Sequence, residues 1–100
     1  MNAIATFPTA HAERHLASMC KHFVRKIPVT SAGRSGTLVF PFGRCDMVAD
    51  EDNLTLIASS ADKVQLDQVV NIITCHVERF AFRENPDLIW RLAVEPQEKT

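Results

Sequence analysis

The chain has 100 residues, 46% hydrophobic and 23% charged, and its eleven basic and twelve acidic residues leave a net charge of −1. This length suits one domain with a buried core but not two, and the composition argues against disorder. No block of like charge exceeds Asp50–Asp52, which argues against nucleic-acid binding, because that needs a basic face. Without a signal-like N-terminus or a membrane-length apolar stretch, we expect a soluble cytoplasmic protein with no membrane insertion.

The three cysteines, Cys20, Cys45 and Cys75, are an odd number and contain no C-x-x-C spacing. This pattern predicts reduced thiols in a reducing compartment rather than a disulfide framework. It also excludes a zinc ribbon and a thioredoxin motif.

The first part of the chain predicts a strand followed by a helix. The strand runs from Ala3 to Phe7 and stops at Pro8, after which Thr9 is placed to cap the helix. The helix continues to Pro28, because apolar residues recur at helical spacing and form one stripe. The members of that stripe are Leu16, Cys20, Phe23 and Ile27, and Ala12 and Met19 lie at its edge.

Between Val29 and Ser59 the apolar period changes to two, with turn signals between the segments, which predicts an antiparallel meander. Its clearest strands are Thr37–Phe40, Arg44–Ala49 and Leu54–Ala58. Val29–Ala32 is a weaker candidate, so the meander has either three or four strands.

A second helix opens at Ser59 or Ser60, where Ser59 and Asp62 resemble a capping box, and it stops at Asn85–Pro86. Its core stripe comprises Leu66, Val69, Val70, Ile73, Val77 and Phe80. Residues 88–92 then alternate as a closing strand, with Leu88, Trp90 and Leu92 on one side, and 93–100 read as a flexible tail. The prediction is one α+β domain over 1–100, an antiparallel sheet in the order β-α-β-β-β(-β)-α-β with both helices packed on one face.

Three histidines, His11, His15 and His22, fall on one side of the first helix and could in principle bind a divalent metal. A metalloprotease helix is excluded, because it needs glutamate directly after the first histidine and Ala12 stands there. We interpret His11 and His15 as solvated side chains beside the core stripe.

A second arrangement involves both helices. His22 lies at the border of the first stripe and His76 at the margin of the second, so side-by-side helices would let them approach. Cys45 on the sheet is a candidate third group, and the three would form a metal or small-ligand site. Cys20 diverges from His22 by about 160° and is interpreted as a buried apolar residue, whereas Cys75 points away from the core as an exposed thiol.

The end of the second helix, Glu78–Glu84, mixes aromatic side chains with opposite charges. Surface ion pairs are one interpretation of it. An anion clamp built from Lys21, Arg79 and Arg83 is the other. No nucleotide-binding loop or nucleophile elbow is present in the sequence.

Several strings resemble a bacterial family of unknown function numbered 2218, and they span nearly the whole chain. They are Cys20–Phe23, Lys26–Val29, Phe40–Cys45, His76–Glu84 and Trp90. Similar domains occur joined to flavin-containing siderophore-interacting reductases or near iron-uptake genes, so the resemblance implies an accessory role in iron or siderophore handling with such proteins as candidate partners. The positions that the family marks correspond here to Cys20, Lys21, His22, Gly43, Cys45, His76, Arg79, Phe80, Arg83 and Glu84.

Three hypotheses follow. The first is a binding module that holds iron, another divalent metal or an anionic iron chelate at His22 and His76, with Lys21 and Arg79 for charge. The second is a small enzyme that uses either histidine as general acid or base. The third is an interaction domain, a homodimer among its forms, that docks through Phe80 and Phe82. The first two require the two imidazoles to face a common space.

Overall fold

The computed structural model describes residues 1–93, which form six strands, two α-helices and one 3-10 turn. The elements are β1 (Asn2–Pro8), α1 (Ala12–Phe23), β2 (Val29–Ala32), β3 (Ser35–Phe40), β4 (Gly43–Ala49), β5 (Asn53–Ser59), α2 (Lys63–Phe80), the 3-10 turn (Phe82–Glu84) and β6 (Arg91–Ala93). The predicted α+β class and element order are confirmed. The meander contains four strands, since Val29–Ala32 pairs with β3.

The strands form one antiparallel sheet in the order β2-β3-β4-β5-β1-β6. Strand β1 therefore lies inside the sheet, between the end of the meander and the closing strand. In the register, Ala5 and Met47 both pair with Leu56, so inward-facing residues line up across the sheet. This alignment follows from the period of two in each strand.

Both helices pack on the same face of the sheet, α1 over β2 to β5 and α2 over β1, β4 and β5. The core between the layers consists of alternate strand residues and the two helical stripes. Its fully buried large side chains include Met19, Leu38, Met47, Leu54, Leu56, Leu66, Val69 and Ile73. Neither helix of residues 1–93 is long and apolar enough to cross a membrane.

The start of α1 differs from the prediction. The residue before the helix is His11, which makes no side-chain cap. Thr9 is buried instead, where its hydroxyl accepts a hydrogen bond from the His11 N–H at 3.0 Å and donates one to Glu84. The prediction of Thr9 as the helix cap was wrong, because its hydroxyl connects this loop to a distant part of the chain.

The end of α1 also falls earlier than predicted, at Phe23 rather than next to Pro28. The N–H groups of Lys26 and Ile27 still donate to the Phe23 carbonyl, at 2.8 and 3.0 Å, so the chain leaves the helix through a tight turn. The residue before a proline avoids helical geometry, which prevents the helix from continuing through Ile27. Ile27 nevertheless packs against the core, as its place in the stripe predicted.

Helix α2 is capped by Asp62, whose carboxylate accepts from the Gln65 N–H at 2.9 Å. The predicted start at Ser59 or Ser60 was wrong, because Asp62 acts as the cap itself and not as the third residue of a capping box. The regular helix ends at Phe80, and the 3-10 turn carries the chain to Asn85, whose φ of 53° is left-handed.

The closing strand is shorter than the predicted 88–92. Only Arg91–Ala93 pair with β1, although Leu88 and Trp90 pack against the core as expected. The indole N–H of Trp90 donates to the Thr74 hydroxyl at 2.8 Å, which fixes the approach to the strand on α2. Leu92, predicted on the same side, is 59% exposed at the sheet edge. The remainder of the predicted tail, 94–100, lies outside the described residues.

Candidate functional site

The two histidines at the margins of the helical stripes meet between α1 and α2. The Nε2 atoms of His22 and His76 are 3.2 Å apart, and their ring centroids are 4.7 Å apart with the planes inclined at 52°. Two nitrogens meeting head-on at this distance would hold their centroids about 5.5 Å apart, so the rings approach at an angle. The predicted convergence of these two imidazoles is confirmed.

The hydrogen bonds assign the tautomers of the pair. Nδ1 of His76 is 2.7 Å from the carbonyl oxygen of Ile72, one turn earlier in α2, and only an N–H can bond to a carbonyl. In its neutral form His76 therefore presents an unprotonated Nε2, which accepts a hydrogen bond from the Nε2–H of His22. One proton thus lies between two nitrogens that could both act as ligands.

Aromatic rings hold the imidazole pair in place. The Phe23 ring lies 4.9 Å from the His22 ring and 4.7 Å from the His76 ring, while Phe80 meets His22 edge-on at 5.7 Å. Phe23 continues into the core through an edge contact with Phe40 at 5.5 Å. Such packing restricts the rotamers of both histidines.

The electrostatic setting keeps His22 neutral. Burial lowers the pKa of His22 below its ordinary value, and charge repulsion lowers it further, from His76 when that ring is protonated and from Lys26 and Arg79. A neutral imidazole is the form that can bind a metal ion or accept a proton.

This lowered pKa predicts a loss of stability on mild acidification. Between about pH 6.5 and the lower folded-state pKa, the unfolded chain binds a proton that folded His22 does not bind, so stability falls as the pH drops through this window. Urea unfolding at several pH values should show this slope in the wild type and a smaller slope in His22→Asn. Equal slopes in both proteins would contradict the assignment.

Cys45, the predicted third group, does not join the pair. It is fully buried in the sheet, where its thiol lies 3.8 Å from the Asp46 carbonyl, and burial raises its pKa to about 12. A thiol that stays protonated is a poor metal ligand. Within residues 1–93, no three histidine, cysteine, aspartate or glutamate side chains are grouped to hold a metal ion, so the predicted set of His22, His76 and Cys45 was wrong in its third member.

The other two cysteines lie where the sequence placed them. Cys20 is 8% exposed within the core, where burial raises its pKa, and Cys75 is exposed on α2. Both are free thiols. Neither contributes to the imidazole pair.

A surface groove with a volume of about 610 Å³ opens beside His22, at the end of α1. Its lining consists of Ser18, Lys21, His22, Val24, Arg25 and Phe80. No acidic residue is among these. His22 therefore has access to solvent through the groove, and His76 lies outside the lining.

The three residues of the predicted anion clamp lie in different surroundings. Lys21 lines the groove and the charge of Arg79 acts on His22, which places both near the pair. The guanidinium of Arg83 lies over the exposed Phe82 ring, 5.7 Å from its centroid. Phe80 packs against His22 and the core while Phe82 is 66% exposed, so the two phenylalanines differ in environment.

A second polar cluster was missed by sequence reasoning. His15, predicted to be solvated, is 5% exposed, and its Nε2 lies 2.6 Å from the Glu84 carboxylate. Phe7 stacks on the imidazole at 5.8 Å, and exposed His11 meets it edge-on at 6.3 Å. The hydrogen bonds from Thr9 and His15 lower the pKa of Glu84. The one sequence feature that pointed to this cluster was the position of Glu84 at the end of the segment His76–Glu84, which resembles the family. Its partner His15 lies 69 residues away along the chain.

The chain is similar to a solved bacterial protein structure and matches a bacterial protein family. The solved NMR structure of PA4090 from Pseudomonas aeruginosa is similar, with a TM-score of 0.79 and 26% identity over 92% of this chain and 96% of that chain. No curated protein matches significantly. The family described as "uncharacterized protein conserved in bacteria", DUF2218, matches residues 4–91. Since this match covers most of the chain, the protein belongs to the DUF2218 family.

Proposed function

We propose that the protein is a small accessory module that binds a metal ion, iron or another divalent metal, or its anionic chelate, through His22 and His76. The observation that carries the proposal is the 3.2 Å between their Nε2 atoms. Two imidazole nitrogens on one tetrahedral ion lie about 3.3 Å apart, and adjacent ligands of an octahedral ion about 3 Å apart. An ion could therefore replace the shared proton without movement of either helix.

The second hydrogen bond of His76 supports a ligand role. Metal-binding histidines usually donate their other N–H to a carbonyl or a carboxylate, which fixes the ring and increases its basicity. The Nδ1–H of His76 is directed in this way at the Ile72 carbonyl. His22 would move its proton from Nε2 to Nδ1 on binding, and Nδ1 has no hydrogen-bond partner among residues 1–93.

Two imidazoles leave at least two coordination positions for other donors. The positive charges of Lys26 and Arg79 near His22 disfavour a bare cation and favour a complex whose remaining ligands carry negative charge. This argument favours an anionic metal chelate over a free ion. Iron as the metal, and siderophore or iron-uptake proteins as partners, follow from the resemblance of the motifs to domains associated with such systems.

Titration of the purified protein with Zn²⁺, Fe²⁺ and Fe³⁺, followed by calorimetry and thermal unfolding, tests the proposal. We expect one ion per chain and a rise in the melting temperature with metal concentration. The variants His22→Ala and His76→Ala should each bind the metal about 10- to 100-fold more weakly. His11→Ala is the matched control, because it removes an exposed imidazole from the residue that precedes the same helix. Equal affinity in the wild type and in the combined His22→Ala and His76→Ala protein would remove the pair from the site.

A second candidate function is general acid–base catalysis, which the lowered pKa of His22 beside an open groove favours. The groove is lined by His22 alone of the two histidines, so His76 would act only by accepting its proton. Self-association through Phe82 stays a prediction that light scattering at high protein concentration can check.

A further inference from the structure

Two cationic side chains, Lys21 and Arg25, line the groove at the end of α1. The charges of two more, Lys26 and Arg79, act on His22, which is part of the same lining. Within residues 1–93, none of the four forms an ion pair, although Arg34, Arg44 and Lys63 elsewhere on the surface each have an acidic partner. In a chain of net charge −1, this local excess of positive charge has no ion-pair partner in the described part of the chain.

The end of the helix does not account for this excess. Basic residues in a last helical turn interact favourably with the helix dipole, but that dipole amounts to only about half a negative charge. The charges of Lys21 and Arg25 in the lining, with Lys26 and Arg79 acting on His22, leave a net positive charge at the groove after this compensation. Such a potential attracts a small anion, and it does so more strongly where the walls are apolar.

The groove also has an apolar wall suited to a ring. Phe80 and Val24 line it together with the Ser18 hydroxyl, the two cations and His22. A flat aromatic ring can lie along Phe80, while a carboxylate at its edge meets Lys21 or Arg25. Phe80 lies on α2, whereas Lys21 and Arg25 lie in and directly after α1, so a ligand with both features would bridge the two helices.

We propose that this groove binds a small aromatic carboxylate, which the cations hold by its charge and Phe80 holds by its ring. An oxygen of the same ligand would then occupy a coordination position of the metal on His22 and His76. The coordination step rests on the proposed function, whereas capture of the anion by the groove does not. The proposal thereby names the chemical class of the chelate.

Calorimetric titration of the full chain with benzoate and 2-hydroxybenzoate, without metal, tests the groove. Both should bind, and the combined variant Lys21→Gln and Arg25→Gln should weaken binding at least tenfold. Arg14→Gln, which removes an exposed positive charge from the first turn of the same helix, should leave binding unchanged. Cyclohexanecarboxylate, which has the charge without the flat ring, should bind more weakly than benzoate. Equal binding to the wild type and the Lys21/Arg25 variant, or no binding to either, would overturn the proposal.

Repeating the anion titrations in the presence of Zn²⁺ distinguishes the proposed anion groove from the proposed metal site. Added metal should strengthen binding of 2-hydroxybenzoate, which can chelate through two oxygens, more than binding of benzoate. Anion binding in a protein that binds no metal would retain the groove and refute the proposed metal function. Metal binding in a protein that captures neither anion would refute the groove and retain the metal site.

Discussion

Replacement of Glu84 by alanine is expected to cost about 3 kcal/mol of folding free energy, because it removes the partner of a buried histidine. The Glu84 carboxylate accepts from Thr9 and pairs with His15 at 2.6 Å, so it ties the 3-10 turn after α2 to the start of α1. The variant would leave His15, 5% exposed, without its hydrogen bond. Urea unfolding at pH 7 measures the loss.

Two further variants separate charge from hydrogen bonding. Glu84→Gln keeps the acceptor for Thr9 and should lose about 1 kcal/mol. Glu78→Ala removes an exposed carboxylate from the same helix end and should change stability by less than about 0.5 kcal/mol. Equal losses for Glu84→Ala and Glu78→Ala would show that the cluster contributes nothing.

The Glu84 carboxylate should also contribute to the loss of folding free energy at acidic pH. Its pKa is lowered in the folded protein, so its contribution is complete above the unfolded value of about 4.3 and disappears as the pH falls through the lower folded-state value. The Glu84→Gln protein should lack this part of the acid transition.

Replacement of Gly43 by alanine is expected to cost about 3 kcal/mol, because a methyl group there has no space. A Cβ atom at this position would lie within 3 Å of three groups, the Ser59 carbonyl oxygen, the Ser60 Cβ and the Val69 Cγ2. The carbonyl belongs to the backbone of β5, which is paired with β4 and cannot yield without breaking the ladder. Thermal or urea unfolding would record the loss.

Gly36→Ala provides the graded comparison. A Cβ there meets the Cys20 sulfur at 2.9 Å, and a thiol can rotate away, so the expected loss is about 1 kcal/mol. A Gly43→Ala protein as stable as Gly36→Ala would contradict the packing argument. Gly43 is one of the positions marked by the family, and its environment gives it a role in close packing rather than in binding.

The starts of both helices differ from the prediction because several neighbouring residues can each act as the helix cap. The capping signals at Thr9 and Ser59 were interpreted from spacing alone, but the structure uses Thr9 to bind Glu84 and caps α2 with Asp62. Several residues near a helix start can each accept a backbone N–H. The choice among them depends on which side chain another part of the fold already engages.

The candidate site shows the same limit of local sequence signals, here for residues that lie far apart in the chain. The helical wheel placed His22 and His76 at the margins of their stripes, and the structure confirms their meeting. It could not exclude Cys45, which the same reasoning put on the adjacent sheet but which the structure buries in the core. The spacing of apolar residues identifies the face of an element on which a residue lies. It does not indicate at which positions along that face two elements come into contact.

By itself, the sequence determined the fold class, the three clear strands of the meander and the buried faces of these strands and of both helices, because alternation and helical stripes are local consequences of burial. Only the tertiary structure decided that four strands separate the helices and that His22 meets His76 across 54 residues. It also decided that His15 is buried against Glu84, 69 residues away. Such pairings depend on the relative direction and offset of packed elements, which arise from the whole assembly and from no single segment.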